Sequence, residues 1–313
     1  METILQSPTR TVVIGPGKPF VIIGERINPT GRKKLAAEMA AGDFSRVIAD
    51  AKAQVEAGAH VLDVNSGVPL TDEAELMTEA VRLVQQTVDA PISIDSSVVA
   101  ALKAGLKAAT GKPWSTRSPA RTSGLRRSCR WWPSARGRHR HQQRRNRHLL
   151  RPARALQDCE EDRRARRKLR HPREDVLIDP LAMPVGAVQG AGKHLFDIVR
   201  MVREELGCNT ICGASNISFG LPNRPILNAT FVAMAIAAGM PCAITNPLDH
   251  EIRQAILAAD VMMGADENCA AWITAQRQAA ASDAPAADAA APSEASGREA
   301  RRAAREARRA AAS

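Results

Sequence analysis

Short apolar runs that close on polar residues recur along the chain, with helically periodic segments between them. The runs are FVIIGERIN from Phe20, HVLDVNSG from His60, PISIDSS from Pro91, VLIDP from Val176, TICGASNIS from Thr210 and CAITNP from Cys242. Their near-continuous aliphatic content is what a strand buried on both faces of a parallel sheet requires. Residues 44–57, 72–88 and 195–206 instead place apolar side chains at helical spacing. Strand and helix therefore alternate, which predicts an α/β fold built on a parallel sheet. Ahead of the first run, TVVIGPGKPFVIIG predicts a hairpin turning at residues 15–18, placed to cap one end of a barrel.

The polar closing residues set a step length. Asp63 and Asp95 are 32 residues apart, Asp179 and Asn216 are 37 apart, and Asn216 and Asn246 are 30 apart. The 84 residues from Asp95 to Asp179 leave room for three such steps. Six visible strands and two missing ones make the eight βα units of a TIM (β/α)8 barrel. A doubly wound sheet is the alternative, but no G-x-G-x-x-G follows the first strand.

The net charge of +11 changes this picture only locally. Residues 114–171 hold 18 Arg and one Lys against four acids, a net +15, so the rest of the chain sums to −4. That window contains no Val, Ile, Met or Phe, and it holds three of the four Trp and four of the seven His. It cannot supply two buried parallel strands, so strands four and five of the barrel are expected to be disrupted. The six cysteines form no CxxC pair and no metal-site spacing with histidine, so neither a disulfide scaffold nor a metal site is expected. No basic leader with an apolar core opens the chain and no apolar run is long enough for a span, which predicts a cytoplasmic protein with no membrane partner.

In a barrel of this type the site forms where the strands end. Those ends supply Glu25 and Asn28, Asp63 and Asn65, Asp95 and Ser96, Asp179, Ser215 and Asn216, and Asn246. This ring of carboxylates and carboxamides, without histidine or lysine, suits a neutral heterocycle rich in N–H donors and ring nitrogens. Each Asp or Asn taken alone could equally cap the following helix; recurrence at five strand ends favours one shared site. The stretch VMMGADENCAAW reads as core, with Val261, Met262 and Trp272 at helical spacing.

The segments IIGERINPTG, VLDVNSG, PISIDSS, VLIDPLAMPVGA, GASNISFGLPNR and NPLD resemble the methyltetrahydrofolate–corrinoid methyltransferases. These share a pterin-binding TIM barrel with dihydropteroate synthase, and the resemblance covers residues 11 to about 113 and 172 to about 277. It implies methyltetrahydrofolate as substrate, cobalamin carried by a corrinoid protein as partner, and a homodimer. It makes Asp95 and Asp179 the groups that hold the pterin edge and Asn216 the catalytic residue near N5. Asp63, Asn65, Ser215, Glu25 and Asn28 would line the same mouth, with Arg224 holding either the folate tail or its own loop. Dihydropteroate synthase is the alternative enzyme; it fits less well, because NSGVP replaces its glycine-rich segment and no basic SxR-like ending follows CAITNP. A protein of another class, binding nucleic acid through the Trp and Arg window, would leave the carboxylate-ended strands unexplained, and no nucleic-acid partner is expected.

The family carries a further Asn in an NSVTGE-like motif where the arginine-rich window stands. Reading the window in shifted frames restores it. WSTRSPARTSGLRRSCRWW permits VNSVTGEDERLEAVLPLV, and GRHRHQQRRNRHLLRP permits AAIAISNDETGISSDP, a strand with a polar end. Three single-base losses, near Pro113, Ala135 and Pro172, would give the present sequence. The expected organisation is a barrel over residues 1–278, with an out-of-frame segment at 114–171, and a low-complexity, disordered Ala/Arg tail over 279–313. A chain with this window is expected to transfer methyl groups weakly or not at all.

Overall fold

The computed structural model describes residues 1–115 and 173–283. The chain opens with β1 (Thr3–Gln6) and β2 (Thr11–Ile14), an antiparallel hairpin. Its turn lies at residues 7–10, not at 15–18 as the sequence pattern suggested. The Ser7 N–H donates to the Arg10 carbonyl at 2.9 Å, and the Arg10 N–H donates to Ser7 Oγ at 2.9 Å. Gly15 to Lys18 is a connecting turn, since among the described residues β2 pairs with β1 and with no other strand. The expected position at one barrel end does hold. Asn209 Nδ2 donates to Thr3 Oγ1 at 3.1 Å and to the Ile14 carbonyl at 3.1 Å, while the Gln6 and Lys112 backbones bond each other.

Among the described residues seven parallel strands follow: β3 (Val21–Ile27), β4 (Val61–Asn65), β5 (Ile92–Asp95), β6 (Trp114–Ser115), β7 (Leu177–Ile178), β8 (Asn209–Thr210) and β9 (Cys242–Thr245). One sheet runs β6-β5-β4-β3-β9, β7 pairs with β8, and a parallel bridge from Gly213 to Ile244 joins the β8 and β9 segments. The last strand thus lies beside the first, the order in which a TIM barrel closes. The arginine-rich window begins with a strand: Trp114 and Ser115 pair with Ser93 and Ile94. The expected loss of strands four and five otherwise falls on residues 116–172, outside the described residues.

Helices α1 (Lys33–Ala40), α2 (Ser45–Glu56), α3 (Glu73–Thr87) and α4 (Val99–Ala108) cover the outer face of β3 to β5. Helix α3 starts at Asp72, whose carboxylate accepts from the Ala74 and Glu75 N–H groups, with Glu73 and Glu75 in the first turn complementing the helix dipole. Val47, Ala51, Met77, Val81, Val84 and Ile94 are all fully buried in this layer. Helices α5 (Ala191–Met201), α6 (Arg224–Ala237) and α7 (His250–Met262) pack with β9 into a second apolar layer that includes Leu195, Phe231, Val232 and Ile252. A third cluster, with Ile14, Ile23, Val61, Ile211 and Cys242, fills the interior above the hairpin.

Met262 is exposed and Val261 half-buried, contrary to the core reading of VMMGADENCAAW. The buried face of α7 runs through Ile252, Ile256 and Asp260, and Met262 lies two residues, about 200°, further round the helix. The compact unit spans Met1–Cys269, and α8 (Ala270–Asp283) belongs to a second unit. Helix α8 runs across the boundary expected at residue 279, and Trp272 is half-buried within it.

Candidate functional site

The site begins with a local distortion of β3. The register of β3 against β4 shifts between Gly24 and Ile27, and Gln54 of α2 reaches in to accept the Arg26 N–H at 2.8 Å. Gly24 makes room for it: a Cβ there would stand 2.5 Å from Gln54 Oε1. This irregularity, like a bulge, leads the strand out at Glu25, whose carboxylate accepts from Ser215 Oγ at 2.9 Å.

Two neighbouring strands add the rest of the cluster. Asp63 on β4 is 4% exposed and accepts from Ser93 Oγ on β5 at 2.6 Å, the two residues being register partners. One step further along, Asn65 Nδ2 donates to Asp95 Oδ2 at 2.9 Å, again between register partners. Parallel pairing thus converts a two-residue spacing in each strand into two stacked polar pairs. Desolvation, reinforced by the charges of Asp95 and Glu25, holds the Asp63 carboxyl well above the usual carboxylate range. Burial also raises Glu25, and Asp249 adds to that, while the Ser215 hydroxyl, Arg26 and Arg224 pull the other way.

Asp179 stands at the end of β7. By surface area it is open to solvent, yet protein closes around it enough that desolvation pushes its carboxyl up to about 6, opposed by the Leu181 N–H, which it accepts at 2.8 Å. Asn216 lies in the 3-10 turn after β8, beside Ser215, with its Nδ2 packed over Gly213, where a Cβ would stand 2.9 Å away. Asn28 accepts the Thr30 N–H within its own loop, and Asn246 donates to Asp249 and accepts from Leu248, so both act as local turn formers. Arg224 donates to Ser218 Oγ at 3.0 Å and to the Ser215 carbonyl at 2.7 Å, which fastens the loop carrying Ser215 and Asn216.

Glu25, Ser215, Asp63, Asn65 and Asp95 are therefore linked by hydrogen bonds or by charge, whereas Asp179 and Asn216 stand at neighbouring strand ends. Ser93, Asp249 and the bond from Ser96 Oγ to Glu73 were not singled out from the sequence. Ser93 could have been, because its position in PISIDSS puts it on the same strand face as Asp95. Among the described residues no group of three His, Cys, Asp or Glu is arranged to hold a metal ion. A raised carboxyl takes up a proton more readily, and a protonated carboxyl can donate as well as accept, so a cluster of carboxyls and carboxamides can pair with both the N–H groups and the ring nitrogens of a heterocycle.

Such a polar cluster at the strand ends of a curled parallel sheet is what the C-terminal mouth of a TIM barrel carries. Residues 24–114 match the pterin binding enzyme family. Over 104 residues the chain is 31% identical to the methylcorrinoid:tetrahydrofolate methyltransferase of Eubacterium limosum, a match covering 33% of this chain and 38% of the relative. The match thus spans less than two-fifths of that relative. Dihydropteroate synthase of Xanthomonas albilineans with 4-aminobenzoic acid superposes with a TM-score of 0.59 at 15% identity, over 84% of this chain and 98% of that one. The Coxiella burnetii dihydropteroate synthase with pteroic acid gives 0.53 at 14% identity, over 83% and 98%. The chain thus shares the fold of the dihydropteroate synthases, and its residues 24–114 are similar to the pterin binding enzyme family.

Proposed function

We propose that the barrel transfers the N5-methyl group of methyltetrahydrofolate to, or from, the cobalt of a corrinoid protein, as part of cytoplasmic one-carbon metabolism. The observation that carries the reading is that residues 24–114, the segment similar to the pterin binding enzyme family, build the linked cluster of Glu25, Asp63, Asn65 and Asp95 in a chain that is 31% identical over 104 residues to a methylcorrinoid:tetrahydrofolate methyltransferase. Asp95 and Asp179 hold the hydrogen-bonding edge of the pterin, and Asp63, Asn65, Ser215, Glu25 and Asn28 line the mouth around it. In one direction the C–N5 bond breaks, its electron pair stays on N5 and a proton neutralises it; in the other the N5 pair takes the methyl group, N5 gives up its proton, and the pair of the broken bond stays with the corrinoid. Asn216 hydrogen-bonds N5 as its charge changes, which stabilises the transition state more than the ground state. The corrinoid supplies the cobalt that accepts or donates the methyl group. A homodimer is part of the proposal, on the family resemblance alone.

Calorimetric titration with methyltetrahydrofolate, followed by absorbance-monitored methyl transfer to free cob(I)alamin, tests the reading. Asn216→Ala is expected to slow transfer roughly 100- to 1,000-fold while costing much less in folate affinity. Condensation of p-aminobenzoate with a pterin pyrophosphate, in the absence of methyl transfer, would replace the proposal with dihydropteroate synthase.

A further inference from the structure

The polar groups at the strand ends suit the edge of a heterocycle and leave its two flat faces without a partner. Pockets for such ligands are lined mostly by apolar and aromatic side chains, yet the linked cluster consists of carboxyl, carboxamide and hydroxyl groups. Aromatic side chains are already engaged among the described residues. Phe20, Phe44, Phe196 and Phe231 are buried in the two helix layers, and Trp114 packs against the interior cluster. Phe219 carries the Arg224 guanidinium 5.8 Å from its ring centroid, Trp272 lies in the second unit, and the chain has no Tyr. A wall for the ring is therefore to be sought among the aliphatic residues.

One aliphatic residue at the mouth is held where neither backbone preference nor core packing would put it. Leu181 follows Asp179 and Pro180 at the end of β7, and its φ of 62° lies in the left-handed region. A proline followed by a positive φ is the signature of a type II turn, whose third residue is normally Gly or Asn. The Leu181 N–H donates to Asp179 Oδ1 at 2.8 Å, a bond that Gly or Asn would make equally well. The side chain itself is half-buried, yet it joins none of the apolar clusters, although Ala182 and Val185 of the same loop do. At its far end the loop is tied down by the Val185 N–H, which donates to the Ile217 carbonyl at 2.9 Å, next to Asn216. Residues 180–185 thus run from the Asp179 carboxylate to the turn that carries Asn216, and a ligand touching both lies along them.

We infer that Leu181 is a ligand-binding residue, whose side chain is the apolar wall on which one flat face of the pterin ring rests while Asp179 holds the ring's edge. The inference rests on the proposed role of Asp179 as a pterin contact. It adds the reason why a position suited to Gly or Asn carries a branched aliphatic residue: backbone strain beside a site persists where the side chain serves the ligand and not the fold. Because any residue at position 181 supplies the same N–H to Asp179, the contribution of the side chain can be measured apart from that of the carboxylate.

The test compares the full chain with its Leu181→Gly, Leu181→Asn and Leu181→Met variants. Each is titrated calorimetrically with methyltetrahydrofolate and with 6-methyltetrahydropterin, which has the ring without the tail, and is melted without ligand. Gly and Asn suit the left-handed backbone and delete the wall, whereas Met keeps an apolar side chain of similar size. The Gly and Asn variants are expected to bind both ligands about tenfold more weakly, with melting temperatures equal to or above that of the parent. Leu181→Met is expected to stay within about threefold of the parent, and the pH midpoint of affinity, set by Asp179, is expected to be the same in all four chains. Unchanged affinity in the Gly and Asn variants overturns the inference while leaving the pterin reading in place. So does a loss confined to methyltetrahydrofolate, which would put Leu181 against the tail, and so does a lower melting temperature in these variants, which would give the side chain to the fold. A displaced pH midpoint overturns it too, since Leu181 would then act through Asp179. A parent chain that binds neither ligand overturns the pterin reading together with this inference.

Discussion

His60 shows how one residue can set acid stability away from the mouth. Its Nδ1 accepts the Ile22 N–H at 3.0 Å, so the ring must be neutral at that nitrogen, and burial, with the Arg10 charge adding to it, holds its pKa down to about 4 from the usual 6.5. The unfolded chain protonates this histidine below pH 6.5 and the folded chain only below about pH 4, so folding stability contributed by the neutral ring is complete above 6.5 and lost as pH falls towards 4. The loss amounts to about 3 kcal/mol at most. Asp260, which accepts the Phe20 N–H through both oxygens and is raised to about 6, works in the opposite sense, losing stability as pH rises through that value. His60→Asn keeps an acceptor for Ile22 and removes the titration. Urea unfolding at pH 7.5 and pH 5 is expected to show a smaller acid loss in the variant than in the parent; equal losses would show that His60 does not carry it.

At the scale of elements, the end of β3 depends on a contact between a strand and the helix behind it. Gly24, Gln54 and the Arg26 N–H form a closed set, in which the missing Cβ admits the amide and the amide supplies the bond that the ladder lacks. Gly24→Ala must displace Gln54, so it is expected to cost roughly 1–3 kcal/mol, as overpacking of a filled interior does. Because Glu25 leaves from the same irregular register, folate affinity is expected to fall with stability. A variant that keeps full thermal stability and full affinity would show that the irregularity does not position Glu25. Gly105 in α4 is a second close approach, where a Cβ would stand 2.8 Å from Met77 Cγ and 2.9 Å from Ile94 Cγ2, but it lies behind the sheet, away from the mouth.

The whole molecule joins a barrel with a site to a window whose composition opposes that fold. Residues 114–171 contain no NSVTGE-like motif. Replacing residues 114–171 by their shifted-frame reading would restore two apolar strands and that motif. The restored chain is expected to unfold with a steeper denaturant dependence, reflecting a larger buried surface, and to bind methyltetrahydrofolate at least tenfold more tightly. Equal affinity in the two chains would remove the case for impairment, and an uninterrupted reading frame in the gene would remove the case for base losses.

The sequence by itself determined the class of fold. Fully buried parallel strands demand continuous aliphatic runs, their spacing sets the length of each βα unit, and the polar residues that close them lie at the C-terminal ends whatever the packing. Glu25, Asp63, Asn65, Asp95, Asp179, Ser215 and Asn216 were legible for that reason. Tertiary structure decided what spacing along one chain cannot express. Register brought Ser93 to Asp63 and Asn65 to Asp95, the β3 irregularity turned Glu25 towards Ser215, and the hairpin, closed locally by Ser7 and Arg10, was docked through Thr3 and Ile14 onto Glu174 and Asn209, more than a hundred residues away in sequence. Burial raised the carboxyls of Asp63 and Asp179, since desolvation depends on everything packed around a group and not on its neighbours along the chain.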